Sequence, residues 1–139
     1  MSNLAIANLT KRKVPDLPFA KYLEKVLGQK YELSLVFCGP ALTHKLNLER
    51  RHKDKVSNVL SFPLSKNSGE IFIKLPATDF PVAQLFIHAL LHLKGLTHGS
   101  KMETEERKYL ALFDINGKSQ HHRRIRHRDS LDQARRLRT

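Results

Sequence analysis

His88-Ala89-Leu90-Leu91-His92-Leu93-Lys94-Gly95-Leu96-Thr97-His98 is the stretch around which the rest of the chain is arranged. A helix turns by about 100° per residue, so His88 and His92 stand one above the other on one face, where two imidazoles reach one ion. Gly95 suits the left-handed terminator of that helix and lets the chain fold back, so that His98 arrives from the side as a third ligand. Two histidines four apart, taken alone, fit a polar stripe on a half-buried helix better than a metal site. A third, at a fixed offset beyond a helix-ending glycine, points to metal. Three nitrogens leave zinc one open position, the pattern of a catalytic site; structural zinc is normally closed by four ligands, often cysteines, and Cys38 is the only cysteine here.

The helix that carries the pair is expected to begin near Phe80, with Thr78 or Asp79 as its cap and Pro81 at an early helical position. Val82, Leu85, Phe86, Ala89, Leu90 and Leu93 lie on several of its faces, which places it in the core. The run Phe80 to Leu93 is too short to span a bilayer and contains Gln84, His88 and His92.

Upstream, Leu4 to Leu9 reads as an edge strand. Pro15 and Pro18 then turn the chain into a helix with Phe19, Tyr22, Leu23, Val26 and Leu27 at helical spacing, closed by Gly28. Tyr31 to Cys38 is a strand with Leu33, Leu35 and Phe37 on one face. Ala41 to Arg51 is a helix with Leu42 and Leu46 inward, Leu48 as a further candidate for that face, and His44 among solvated neighbours. The charged loop Arg51 to Lys55 has no apolar anchor. Val56 to Phe62 follows as a strand stopped by Pro63, and Gly69 to Ile73 as another. After the histidines, Lys101 to Phe113 is amphipathic, with Met102, Tyr109, Leu110 and Phe113 inward. Glu103, Glu105 and Glu106 form a solvated face that favours the helix dipole, from which Glu103 or Glu106 could approach the zinc site.

A chain of 139 residues with 40% hydrophobic residues is the size of one globular domain. A lone cysteine forms no internal disulfide and fits a reduced cytosol, and the N-terminus shows no signal-peptide pattern. The formal net charge of +12 favours polyanionic partners, nucleic acid before membrane, and disfavours a hydrolase of other substrates. Lys118 to Thr139 holds 8 Lys or Arg against 2 Asp, a net +6, and so half of the excess. The chain therefore divides into a folded domain, 1–117, and a basic, flexible tail, 118–139, in which Ser130 to Leu137 could form a short helix. The adjacent His121 and His122 cannot share one ion from one helix face.

The same spacing occurs in zinc endopeptidases with HExxHxxGxxH, where the Glu is the general base; Ala89 stands there, which argues against proteolysis. The motif resembles instead that of the YbeY family of bacterial endoribonucleases, roughly HGxLHLxGyDH, with Ala89 in place of the family Gly and Thr97 in place of its Asp. Two further blocks agree. Arg51, Lys53, Asp54, Lys55 and Asn58-Val59-Leu60-Ser61-Phe62-Pro63 resemble the family's RGKDKPTNVLSFP, and Gly69-Glu70-Ile71 its GDI. The likeness covers roughly residues 30 to 115. It implies an α/β, α+β-like single domain, a small mixed four-stranded sheet packed with four to five helices around the zinc-bearing one. It also implies a cytoplasmic, single-strand-specific, Zn2+-dependent endoribonuclease that matures ribosomal RNA at the 3′ end of the small-subunit RNA and serves ribosome quality control. Its partners would be single-stranded RNA, ribosomal RNA and the small ribosomal subunit, with no membrane.

Zinc on His88, His92 and His98 would activate a water near neutral pH and polarise a phosphoryl oxygen. Arg51, by family match, would be the catalytic cation that binds phosphate through its planar fork. Lys53 and Lys55 would hold flanking phosphates, with Ser61 as a further RNA contact. Thr97 offers only a neutral hydroxyl, so an alternative is a ribosome-associated assembly or RNA-binding factor with little cleavage.

Overall fold

The computed structural model describes residues 3–117. The elements follow in the order β1 (Asn3–Asn8), α1 (Phe19–Leu27), β2 (Glu32–Cys38), α2 (Pro40–Arg51), β3 (Val59–Ser65), β4 (Ser68–Lys74), α3 (Val82–Leu93) and α4 (Ser100–Leu112). The tail from 118 to 139, with its expected short helix and its two histidines, lies outside the described residues, and so does the test of the 117/118 boundary.

Alternation of apolar residues decides the sheet. It runs β1-β2-β4-β3, with β1 parallel to β2, β2 parallel to β4, and β3 antiparallel to β4. Leu33, Leu35 and Phe37 of β2 and Ile71 and Ile73 of β4 point to one face, in one core with α1 and α3, and α4 packs against α3. Val36 and Phe72 point to the other, against Leu46 and Leu42 of α2 and Leu60 of β3. The expected small mixed four-stranded sheet is present, packed with four helices.

α3 is the centre of the larger core. Ile87, Ala89, Leu90 and Leu91 are each 0% exposed, and every residue from Val82 to Leu91 is buried. Truncating one such leucine to alanine costs about 2–5 kcal/mol, so this helix is a rigid base for its side chains. Phe86 meets Phe19 of α1 edge-on at 5.1 Å, and Tyr22 of α1 meets Phe113 at 4.6 Å, which ties α1 to the chain just after α4.

Several local expectations are corrected. Neither Thr78 nor Asp79 caps α3: Pro81 is its N-cap, and no side chain bonds there. Instead, Thr78 Oγ1 donates to Asn58 Oδ1 at 2.9 Å and Asn58 Nδ2 donates to Asp79 Oδ2 at 3.2 Å, stapling the entry of α3 to the start of β3. β3 begins three residues later than the β-branched content suggested, because Ser57 and Asn58 spend their polar groups on α2 and on this staple. Pro63 does not end β3. An edge strand tolerates the missing N–H, and the ladder only shifts register between Pro63 and Ser65. Leu48 is 44% exposed; Thr43, Leu46 and Asn47 are the buried residues of α2.

The charged loop after α2 is anchored by polar groups instead of apolar ones. Asn47 Nδ2 donates to Lys55 O and Ser57 Oγ at 2.8 and 2.7 Å, Lys53 N–H donates to Asn47 O at 3.0 Å, and Ser57 N–H donates to Thr43 Oγ1. His44, half-buried, pairs with Asp54 at 2.5 Å and so braces the same loop.

Candidate metal centre

The last turns of α3 and the loop that leaves it place the histidines. His88 and His92 share a face, as their spacing requires. After Lys94 the helix ends in a Schellman turn: Leu96 N–H donates to Leu91 O at 3.1 Å and Gly95 N–H to His92 O at 3.0 Å, with Gly95 at φ +107°. The reversed chain brings His98 to the other two. Their ring centroids form a nearly equilateral triangle of 4.8, 5.0 and 5.0 Å, and one ligand-type nitrogen from each lies within 4.8 Å of the others. Among the described residues this is the one such cluster, and His44 is not part of it.

Two neighbouring acceptors fix which nitrogens face inward. Glu106 of α4, 3% exposed, holds Oε1 at 2.6 Å from His88 Nδ1. A carboxylate only accepts, so Nδ1–H donates and the lone pair of the neutral ring sits on Nε2. The Leu96 carbonyl accepts from His92 Nδ1 at 3.0 Å, with the same result. His88 Nε2 is buried and has no hydrogen-bond partner, and the Nε2 atoms of His92 and His98 are buried beside it. A buried imidazole nitrogen left with an unshared pair is costly unless a cation takes it, and one ligand-type nitrogen each of His92 and His98 lies where it could share that cation. The donor set fits zinc with three protein ligands and an open position.

Glu106 was expected on a solvated face, with an approach to the site as the second option; the structure takes the second. Met102, Glu106, Tyr109 and Phe113 fall on one stripe of α4, and a carboxylate at helical register within an apolar stripe was the available signal. Gln84, four residues before His88 on the same face of α3, donates through Nε2 to Glu106 Oε2 at 3.3 Å. It was visible in the sequence as an interruption of an apolar run, without a role.

The other candidates lie on α2, on the loop that follows it and on β3. Arg51 is the last residue of α2, half-buried with Nη1 covered, on the opposite side of the sheet from α3. Lys53 and Lys55 follow in the pinned loop, and Ser61 is buried on the α3 side of β3. Successive strand residues point to opposite faces. Gly69 of β4 faces Leu93 at the end of α3, while Glu70 binds Arg50 at the end of α2 through a 3.1 Å ion pair. The C-termini of both helices therefore abut the same end of β4.

A mixed four-stranded sheet with a buried helix that presents three converging imidazoles defines a class: α+β proteins with an open, three-histidine site able to hold a metal. Comparison with known proteins narrows it. Residues 6–113 match the family described as Endoribonuclease YbeY. The Endoribonuclease YbeY of Rubrobacter xylanophilus is 34% identical over 106 residues, covering 72% of this chain and 78% of its own; that of Campylobacter jejuni is 30% identical over 116 residues, covering 70% and 86%. The solution structure of TM1509 from Thermotoga maritima aligns over 77% of this chain and 86% of its own, at TM-score 0.47 and 19% identity. The chain belongs to the YbeY endoribonuclease family.

Proposed function

We propose that this protein is a zinc-dependent endoribonuclease that cuts single-stranded RNA, and that it matures ribosomal RNA, notably the 3′ end of the small-subunit RNA, with a part in ribosome quality control. The observation that carries the reading is the triad: three histidines whose buried nitrogens converge within 4.8 Å, in a member of an endoribonuclease family with net charge +12. No helix among the described residues is long and apolar enough to cross a membrane.

Zinc, when bound, supplies a Lewis acid at the phosphodiester and brings a coordinated water near neutral pKa. His88, His92 and His98 would hold it, with His88 aligned by Glu106 and His92 by the Leu96 carbonyl. Arg51 is assigned the charge that grows on phosphorus. Its support is the convergence of the two helix ends on Gly69 and Glu70 together with the family-like loop it opens. A planar guanidinium can grip two phosphate oxygens at once. Lys53 and Lys55 are assigned to flanking phosphates on a loop that Asn47 holds in place, and Ser61 to the RNA near the start of the sheet edge. The basic segment 118–139 is assigned to sequence-independent affinity.

Single-turnover cleavage and equilibrium binding on one RNA, at one salt concentration, test the assignment. Arg51→Ala should lower cleavage more than affinity, because only interactions stronger in the transition state accelerate the chemical step. Arg51→Lys should remain impaired, since it keeps charge but loses the fork. Equal losses in both measurements, with rescue by Lys, would make Arg51 a phosphate contact and favour an RNA-binding assembly factor.

A further inference from the structure

Gly117 lies beyond α4, held by Gly117 N–H donating to Ile115 O at 3.0 Å, and the space beside its backbone is taken by Gln84. A methyl group built there would stand 2.5 Å from Gln84 Oε1, 3.0 Å from its Cδ and 3.1 Å from Leu110 Cδ1. Gln84 is 1% exposed and Glu106 is 3% exposed, so the amide is enclosed between the backbone at 117 and the carboxylate. The carboxylate in turn holds His88. A continuous line of buried contacts therefore runs from the segment after α4, through Gln84 and Glu106, to one imidazole of the triad.

We infer that Gln84 and Gly117 are positioning residues for metal binding: Gly117 leaves the space in which the Gln84 amide can lie, and that amide fixes the Glu106 carboxylate on His88. The inference rests on the metal reading of the three histidines and is independent of what the protein cleaves. Partners one step beyond a ligand typically set metal affinity by about 10–100-fold when removed. Position 117 can be tested without breaking the fold, because the group that a new methyl displaces is the far end of a side chain and not backbone. The displaced atoms are nevertheless those of the amide that holds Glu106. Alanine at 117 should therefore leave the chain folded, with whatever stability the enclosed contact costs read from unfolding of the metal-free protein, and should lose clear affinity.

The experiment uses the full chain stripped of metal, with zinc affinity measured by competition against a chelator and thermal unfolding recorded without metal. Wild type should bind one zinc. Gly117→Ala and Gln84→Ala should each weaken zinc by about tenfold, the low end of that range since they act through Glu106. Gly117→Ala should add no further loss in the Gln84→Ala background, where no amide remains to be displaced. Gln84→Met fills the volume without the amide and repeats the test should the cavity left by alanine unfold the apo chain. Wild-type affinity in Gly117→Ala, or the same tenfold loss with and without Gln84, would overturn the line of positioning. A wild type that binds no zinc would instead overturn the metal reading beneath it.

Discussion

Gly69 makes a sharp test of how the end of the histidine helix is seated. A methyl group at this β4 position would lie 2.5 Å from Tyr31 Oη and 3.0 and 3.2 Å from the two Leu93 methyls. Tyr31 is 6% exposed, so its ring is enclosed, and Leu93 follows His92 directly. Two effects compete in Gly69→Ala. Removing backbone freedom from the unfolded chain favours the variant by about 0.5–1 kcal/mol. Overpacking costs about 1–3 kcal/mol, and a 2.5 Å contact with an enclosed phenol puts this site in the upper part of that range. The net is a destabilisation of about 1–2 kcal/mol, or roughly 4–8 °C in melting temperature for a domain of this size. Tyr31 Oη also has no hydrogen-bond partner, and its burial raises the phenol's pKa by desolvation. Tyr31→Phe should therefore be neutral or stabilising by about 1 kcal/mol. It should also remove part of the Gly69→Ala penalty, because the atom nearest the new methyl is gone. Chemical denaturation of the four proteins of this cycle gives the coupling directly. An equal Gly69→Ala loss with Tyr or Phe at position 31, or a Tyr31→Phe loss above about 1 kcal/mol, would refute this account of the packing.

Replacing both His88 and His92 by alanine should abolish tight zinc binding, and metal analysis that finds full occupancy in that variant would end the three-histidine reading. Deleting residues 118–139 should weaken RNA affinity and flatten its salt dependence, since arginines on phosphates act through counterion release; an unchanged salt slope would remove the segment from the RNA contacts. Cys38, 1% exposed, has its thiol pushed up to about 11 from 9.0 by burial. Above pH 9 the unfolded thiol ionises while the folded one stays protonated, so the stability this group contributes is complete below pH 9 and lost as pH rises toward 11. Cys38→Ala should be less stable at neutral pH and should lack that part of the alkaline slope; a wild-type slope in the variant would contradict it.

What the sequence disclosed follows its periodicities. The alternation Leu33, Leu35, Phe37 and the all-round apolar α3 announced the two-faced sheet and its central helix, since burial imposes those periods directly. The convergence of the three histidines was legible because they lie within eleven residues joined by one helix turn and one glycine. The parts that escaped are contacts between elements distant in the chain. Asn58 belongs to the strand by composition, yet its amide bridges Thr78 and Asp79 on the approach to α3. Asn47 is an unremarkable helix residue until the loop returns to it, and only the folded chain shows that this amide anchors the basic loop. Helix caps failed for a related reason: Thr78 and Asp79 have the chemistry to cap, but a long-range partner competes for it.

The replacement of the family Asp by Thr97 threatens less than the linear motif suggests. A carboxylate beside the ligands would matter most if it oriented an imidazole, and here two rings are oriented by other groups. His88 is held by Glu106 from α4, and Thr97 itself is exposed. His92 is held by the Leu96 carbonyl, which points at Nδ1 because Gly95 adopts φ +107° and both Schellman bonds close around it. The glycine of the motif therefore acts twice: it ends the helix so that His98 can return, and it aims the carbonyl that fixes the tautomer of His92. A side chain at 95 would meet no neighbour within 4 Å, so the demand for glycine comes from backbone conformation and not from space. The orientation of His88 and His92 is thus written partly in the turn and partly in α4.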